Sequence, residues 1–254
     1  MEMNELSPLF RKLFLELFES LPRQGPGSRA CAARALSLCS DLPSDPKILD
    51  LGCGVGAQTM HLAEFTSGII TAVDIHAPSI EHLKARVAEL GLSKRVIPMA
   101  AEMTDTGLPP ESFDLVWSEG ALYNIGIGKA LSVCRSLLRP RGYAAFTDAV
   151  WTIDDPPPEV RELFESDYPG MGRVDDLLAI IAATGFTAVG HFTLPDEAWW
   201  TDFYSPMEKC LGEMRQRYRG NDEALAVIDI LAREPEMHRK HSNCYAYEFF
   251  VAHR

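Results

Sequence analysis

The sequence predicts an α/β fold in which helices cover both faces of a parallel sheet. Three observations support this prediction. Short apolar runs of strand length alternate with helix-compatible stretches between residues 47 and 150. The first apolar run ends in a turn with glycines at three alternate positions, Gly52, Gly54 and Gly56. The connections between strands are long enough for the right-handed crossovers that parallel pairing needs.

The glycine turn joins the strand Ile48–Leu51 to a helix that begins at Ala57. Glycine adopts positive φ readily and lets the backbone approach a ligand without an intervening Cβ. A helix that starts behind such a turn presents free N–H groups to that ligand. We therefore expect a nucleoside cofactor here, and the glycines alone leave NAD, a flavin and S-adenosylmethionine (SAM) open.

The other elements follow from apolar periodicity and from glycine and proline breakers. Further strands are predicted at 69–73, 95–99, 113–117, 143–150, 186–194 and 244–252. Helices are predicted at 3–21, 29–40, 57–66, 78–90, 129–138, 159–166 and 174–184, and only helices within 196–242.

These elements are expected to form one domain over 1–254, because this length suffices for a single α/β core. Its predicted parts are an N-terminal helical lid at 1–40, a cofactor-binding core at 44–194 and 244–254, and a helical cap insertion at 195–243. Periodicity leaves open whether the amphipathic helix at 3–21 closes over the ligand cleft or packs on the main body.

Charge and cysteine content restrict the partners and the compartment. The formal net charge of −12 is unfavourable for binding nucleic acid or an anionic membrane. No apolar run approaches the roughly 20 residues of a membrane span, and acidic residues interrupt any signal-peptide core. The six cysteines are scattered without a CxxC pair, and the histidines lack metal spacing. We therefore expect reduced thiols, no metal site and a cytoplasmic protein.

Two carboxylates near the glycine turn bear on the cofactor. Asp74 lies 20 residues after Gly54, at the end of the second strand, where it can reach the ribose hydroxyls of NAD or SAM. Asp50 ends the first strand, where it would repel a pyrophosphate and favour the cationic SAM. The spacing of Gly52, Gly54 and Ala57 still fits the NAD fingerprint, so a nicotinamide oxidoreductase is the alternative.

Four motifs occur in order within residues 22–150. They are Asp50–Gly56, Val73–Ile75, Leu108-Pro109 with Ser112–Trp117, and Leu138–Tyr143. Together they resemble the motifs of class I SAM-dependent methyltransferases, most closely the UbiE-like, type 11 small-molecule branch. Arg141 stands where that family usually has a second glycine.

The resemblance implies a Rossmann-like, doubly wound seven-stranded sheet whose last strand is antiparallel. It implies SAM as cofactor, S-adenosylhomocysteine as product and a small-molecule methyl acceptor as partner. Within it, Asp74 holds the ribose, Ile75 packs on the adenine, and Glu102 accepts from the adenine amino group beside Met103. The candidate cofactor-binding residues are Asp50, Gly52, Gly54, Gln58, Asp74, Ile75, Glu102, Met103 and Ser118, the last expected just past the fourth strand.

The loop after the fourth strand is the expected place of chemistry, because ligands bind at the carboxyl ends of parallel strands. Methyl transfer requires alignment, desolvation and sometimes deprotonation of the acceptor. We therefore expect catalytic roles for Glu119, as a base or orienting group, and for Tyr123, as a donor or wall. The alternatives are that Glu119 supports the loop, and that the protein is a regulator that binds SAM without catalysis. The aromatic residues from Trp199 to Tyr204 form either an acceptor wall or a helix–helix core.

Overall fold

A computed structural model describes residues 7–165 and 168–254. Its strands are β1 Lys47–Leu51, β2 Ile69–Asp74, β3 Val96–Ala100, β4 Phe113–Glu119, β5 Leu138–Trp151, β6 Thr187–Thr193 and β7 Tyr245–His253. They form one sheet in the order β3-β2-β1-β4-β5-β7-β6. Strands β1 to β5 pair in parallel, whereas β7 is antiparallel to β5 and β6. The predicted seven-stranded sheet with an antiparallel last strand is thus confirmed.

Helices surround this sheet. They are α1 Pro8–Ser20, α2 Arg29–Leu38, α3 Ala57–Phe65, α4 Ala77–Glu89, α5 Ile127–Leu137, α6 Pro158–Glu165, α7 Val174–Ala183, α8 Glu197–Trp199, α9 Ser205–Arg217, α10 Asp222–Leu231 and α11 Arg233–His241. A 3₁₀ turn, Leu122–Ile125, precedes α5, and a π-helical turn, Trp200–Tyr204, joins α8 to α9. In the described parts of the chain, no helix has both the length and the apolar character to cross a membrane.

Local signals account for where the first two helices begin. Ser7 caps α1 by accepting a hydrogen bond from the Phe10 amide at 3.1 Å, and Pro8 occupies the first helical position. Ser28 caps α2 by accepting from the Cys31 amide at 3.2 Å. The predicted first helix extends further back, to residue 3, and residues 3–6 lie outside the described ranges.

Buried side chains form three clusters. One lies between the sheet and helices α2 to α4, and a second lies on the opposite face under α5 and α7. The third joins α1 to α9 and α10, with Leu13 and Leu17 fully buried among Phe203, Tyr204 and Met207. The predicted 1–40 unit is therefore divided, because α1 packs with the cap helices whereas α2 packs on α3 and the sheet.

The fifth strand starts earlier than expected. The sequence predicts a turn at 140–142, but β5 runs without interruption from Leu138 to Trp151. Arg141 lies within it at φ +68°, in the left-handed region that glycine occupies at lower cost. The pairing of β4 with β5 shifts register between Phe113 and Leu115 at this point. Strand β5 therefore begins before the predicted turn and contains a local irregularity at Arg141.

Candidate functional site

The glycine loop follows β1 at the carboxyl edge of the sheet. Gly52, Gly54 and Gly56 all have positive φ, at +72°, +52° and +85°. A Cβ on Gly52 would collide with the Cβ of Ala121, because the loop after β4 passes directly over it. The Gly52 amide also donates to the Val73 carbonyl at 2.8 Å, which fixes the loop to β2.

Asp74 ends β2 and faces this loop. Its Oδ2 accepts from the Gly54 amide and its Oδ1 from the His76 amide, each at 2.8 Å. The next residue, Ile75, leaves 70% of its surface exposed at the same edge. An exposed isoleucine beside a carboxylate matches what a nucleoside needs, a polar group for the ribose and an apolar surface for the base.

Asp50 lies beneath the glycine loop and is fully buried. Its Oδ2 accepts from Thr59 Oγ1 at 2.5 Å and its Oδ1 from Gln58 Nε2 at 3.3 Å. Burial raises the pKa of Asp50 to about 7, and the charges of Glu119 and Asp74 add to the rise, while the two hydrogen bonds oppose it. Asp50 and Gln58 therefore connect the end of β1 to the start of α3.

Two further cofactor candidates lie on the loop after β3. The backbone of Glu102 bridges to Asp105, and the Glu102 side chain is exposed. Met103 is half-buried, and its methyl group comes within 4.0 Å of the position that a Cβ on Gly52 would take. Met103 thus reaches the glycine loop, while Glu102 faces solvent.

Ser118 lies inside β4, because that strand continues to Glu119. The sequence placed Ser118 just past the strand, and the longer β4 corrects this. Its hydroxyl is buried and donates to the Leu51 carbonyl at 2.7 Å. It therefore joins β4 to β1 under the glycine loop.

Glu119 has hydrogen-bond donors at both carboxylate oxygens. Trp117 Nε1 donates to Oε1 at 2.8 Å, and Arg23 forms an ion pair with Oε2. Only 2% of the Glu119 side chain and 4% of the Arg23 side chain are exposed. A carboxylate held by two donors is poorly placed to take a proton from an acceptor, so the geometry favours the loop-supporting alternative.

Arg23 is a site residue that the motif analysis missed. It lies on the loop between α1 and α2, where its guanidinium also donates to the carbonyls of Gly25 and Pro26. Within the part of the chain that the structure describes, its Nη1 is buried without a partner, as is Nδ1 of His61 on α3. Desolvation first, and the charge of Arg23 second, lower the pKa of His61. The available sequence signal was a single arginine within the breaker-rich stretch 22–28.

The end of α1 and the loop behind it cover the site. Glu19 Oε1 lies 2.7 Å from His76 Nε2, beside Asp74. Gln24 lies over the glycine loop, where a Cβ on Gly54 would collide with its Oε1. Of the two positions that the sequence left open for the first helix, packing on the main body or closing over the ligand cleft, α1 packs on the cap helices with its last turn beside Asp74, and the lid role stays a prediction.

Tyr123 lies on the opposite side of the β4 loop, in the 3₁₀ turn. Its ring centroid is 5.0 Å from that of Tyr168, whose hydroxyl donates to Asp148 Oδ2 at 2.8 Å. The aromatic group that begins at Trp199 is instead part of the cap core, where Trp199 stacks on His238 with centroids 4.2 Å apart. Tyr123 thus borders a polar, aromatic region at the end of β5.

Comparison with known proteins gives a family-model match over part of the chain. A family model described as a methyltransferase domain matches residues 48–142. The dimethylglycine N-methyltransferase of Parasynechococcus marenigrum is 30% identical over 114 residues, which are 44% of this chain and 41% of that protein. A sterol 24-C-methyltransferase of Gibberella zeae is 27% identical over 66% of this chain and 46% of its own length. The alignments therefore span less than half of either relative.

A solved structure extends the likeness to almost the whole chain. The SAM-dependent methyltransferase of Thiobacillus denitrificans, in complex with S-adenosylhomocysteine, superposes with a TM-score of 0.81. The match covers 95% of this chain and 97% of that one at 17% identity. At this identity the likeness establishes a common fold, which includes the helices outside the matched motifs.

Proposed function

We propose that the protein transfers a methyl group from SAM to a small-molecule acceptor, on the premise that residues 48–142 match a methyltransferase domain model. One observation carries the proposal. The Asp74 carboxylate lies against the Gly54 amide at the carboxyl edge of β1 and β2, next to the gap between β1 and β4 where the strand order reverses. Open α/β sheets bind nucleoside cofactors at such a point.

The residues around this edge fit a SAM molecule. Gly52 and Gly54 let the loop after β4 and Gln24 approach the glycine loop closely, while Asp74 and Ile75 offer a ribose acceptor and an adenine platform. The unpartnered Arg23 Nη1 is a buried cationic donor, which suits the α-carboxylate of the cofactor. SAM, when bound, supplies a methyl group activated by the sulfonium.

The chain's own contribution to catalysis is then alignment and exclusion of water. Glu119 fixes Arg23 and, through it, the loop that covers the cleft, so we propose a positioning role for Glu119 in place of a base. Tyr123 keeps its proposed place as a wall or hydrogen-bond donor next to the acceptor. Glu102 and Met103 are proposed to border the adenine.

The acceptor class is not decided by the relatives. One curated relative is named for methylation of a nitrogen compound and another for methylation of a sterol carbon. Because the alignments leave out more than half of each relative, their acceptors do not transfer to this chain.

Isothermal titration with S-adenosylhomocysteine tests the cofactor assignment. We expect wild-type binding, and a loss of about 10- to 100-fold in affinity for Asp74→Ala, because a charged hydrogen-bond partner contributes about 1.5–3 kcal/mol. Asp175→Asn, an exposed change on α7, is the control. Absence of binding in the wild type, or enhanced fluorescence of bound NADH instead, would remove the proposal.

A second measurement separates catalysis from binding alone. SAM with a labelled methyl group is incubated with the protein and a broad panel of amines, alcohols, thiols and carbon nucleophiles. Label transfer to an acceptor is the expected result. Tight cofactor binding without transfer to any of them would favour the non-catalytic regulator.

A further inference from the structure

Two buried carboxylates lie side by side where β5 meets β7. Asp148 and Glu248 are directly opposite each other in the antiparallel pair, and only 1% and 3% of their surfaces are exposed. Like charges at opposite positions of a strand pair are unfavourable, and burial increases the cost. Such a pair therefore needs compensating partners.

Glu248 has its partners within the sheet. His191 Nδ1 lies 2.5 Å from one of its oxygens, and the Thr193 hydroxyl donates to the other at 2.7 Å. Both partners are on β6, the neighbouring strand. Nothing further is required to explain Glu248.

Asp148 is only half satisfied. Its Oδ2 accepts from the Tyr168 hydroxyl, but its Oδ1 is buried without a hydrogen-bond partner among the described residues. Over residues 7–165 and 168–254, no lysine, arginine or histidine forms an ion pair with it. Burial raises the pKa of Asp148 to about 7, against the opposing effect of its hydrogen bonds. Among the described residues, Asp148 therefore lacks one donor and a cationic partner.

Asp148 lies near the carboxyl end of β4, where a methyl acceptor would bind. Thr147, which precedes Asp148, pairs with Glu119 at the end of β4. The Tyr168 ring contacts Tyr123 in the turn after β4, and the Tyr247 hydroxyl lies 3.3 Å from the position a Cβ on Gly120 would take. Tyr168 and Tyr123 therefore connect Asp148 to the turn that follows β4.

We propose that Asp148 Oδ1 binds a basic nitrogen of the methyl acceptor, with Tyr123 and Tyr168 as an aromatic wall beside it. The proposal rests on the proposed function and specifies the acceptor class as an amine. A cationic N–H supplies both the missing donor and the missing charge, and tyrosine faces attract cations. A neutral or anionic acceptor would leave a buried carboxylate without compensation.

The test uses a matched pair of probes in the presence of saturating S-adenosylhomocysteine. 2-(Dimethylamino)ethanol is protonated at pH 7.5, and 3-methylbutan-1-ol is its neutral carbon analogue of the same shape. Isothermal titration is run on the wild type, on Asp148→Asn and on Asp175→Asn. We expect the wild type and Asp175→Asn to bind the amine at least 10-fold more tightly than the alcohol, and Asp148→Asn to lose that preference.

The outcomes separate this inference from the proposed function. If S-adenosylhomocysteine itself does not bind, the proposed function fails. If it binds but the wild type treats the two probes alike, or if Asp148→Asn keeps the preference, only the amine assignment is overturned. A thermal melt of Asp148→Asn verifies that the variant is folded.

Discussion

In the glycine loop, Gly52 is the position where backbone conformation and a close neighbour both oppose a side chain. Its φ of +72° is unfavourable for other residues, and Ala121 occupies the space a Cβ would need. Gly91, at the end of α4, has a similar φ of +68°, but no atom of residues 7–165 and 168–254 lies within 4 Å of the corresponding Cβ position. A comparison of substitutions at the two glycines therefore distinguishes the cost of backbone strain from the cost of a collision with a neighbouring loop.

We predict that Gly52→Ala lowers the free energy of unfolding by about 2–4 kcal/mol, and Gly91→Ala by only about 1 kcal/mol. In both variants alanine must adopt an unfavourable positive φ, but Gly52→Ala must also displace the loop after β4. Urea denaturation followed by circular dichroism measures both. Equal losses would mean that the contact with Ala121 does not constrain the loop.

At the scale of elements, the Arg23–Glu119 ion pair connects the covering loop to the end of β4. Removing one member of a buried pair leaves the other charge uncompensated, which typically costs about 3–5 kcal/mol. Arg23 and Glu119 both lie in well-packed surroundings with less than 5% of their side chains exposed. The pair should therefore behave as a unit.

We predict that Arg23→Met and Glu119→Gln each cost about 3–5 kcal/mol of stability, and that the double variant costs clearly less than their sum. The exposed pair Arg215–Asp229, in which 42% and 69% of the side chains are accessible, is the control. Its cycle should give less than about 1 kcal/mol. Additive losses at Arg23 and Glu119 would contradict a coupled pair.

The strands and the glycine loop were predictable because their signals are local. An apolar run followed by glycine identifies β1, an apolar run closed by Asp74 identifies β2, and the spacing from Gly54 to Asp74 identifies their shared edge. The partner of Glu119 was not predictable, because Arg23 is 96 residues away and no sequence pattern links the two. The end of β4 was underestimated for a related reason, since the polar Ser118 and Glu119 find partners only in the folded chain.

At the scale of the whole molecule, buried titratable groups act on stability in opposite directions. Desolvation is the main cause in each case: it lowers the pKa of His238, and it raises the pKa of Asp50 and Asp148 to about 7. The buried histidine favours the native state at high pH, and that contribution is lost as the pH falls below its unfolded pKa of about 6.5. The buried carboxyls favour the native state when protonated, and that contribution is lost as the pH rises towards 7.

We predict opposite pH dependences for two single substitutions. Relative to the wild type, Asp148→Asn should gain about 2–3 kcal/mol in free energy of unfolding between pH 5 and pH 8, because asparagine avoids ionising a buried group. His238→Gln keeps the capacity to hydrogen-bond the Tyr245 hydroxyl and Asp196, which lie 3.1 and 3.0 Å from the ring nitrogens of His238. Its stability relative to the wild type should instead improve as the pH falls from 8 to 5, because the unfolded wild type then gains a proton that the native state resists. Urea midpoints at pH 5, 6.5 and 8 measure both trends. If the wild type and both variants show the same dependence of stability on pH, the pKa values of these groups do not differ between the native and unfolded states.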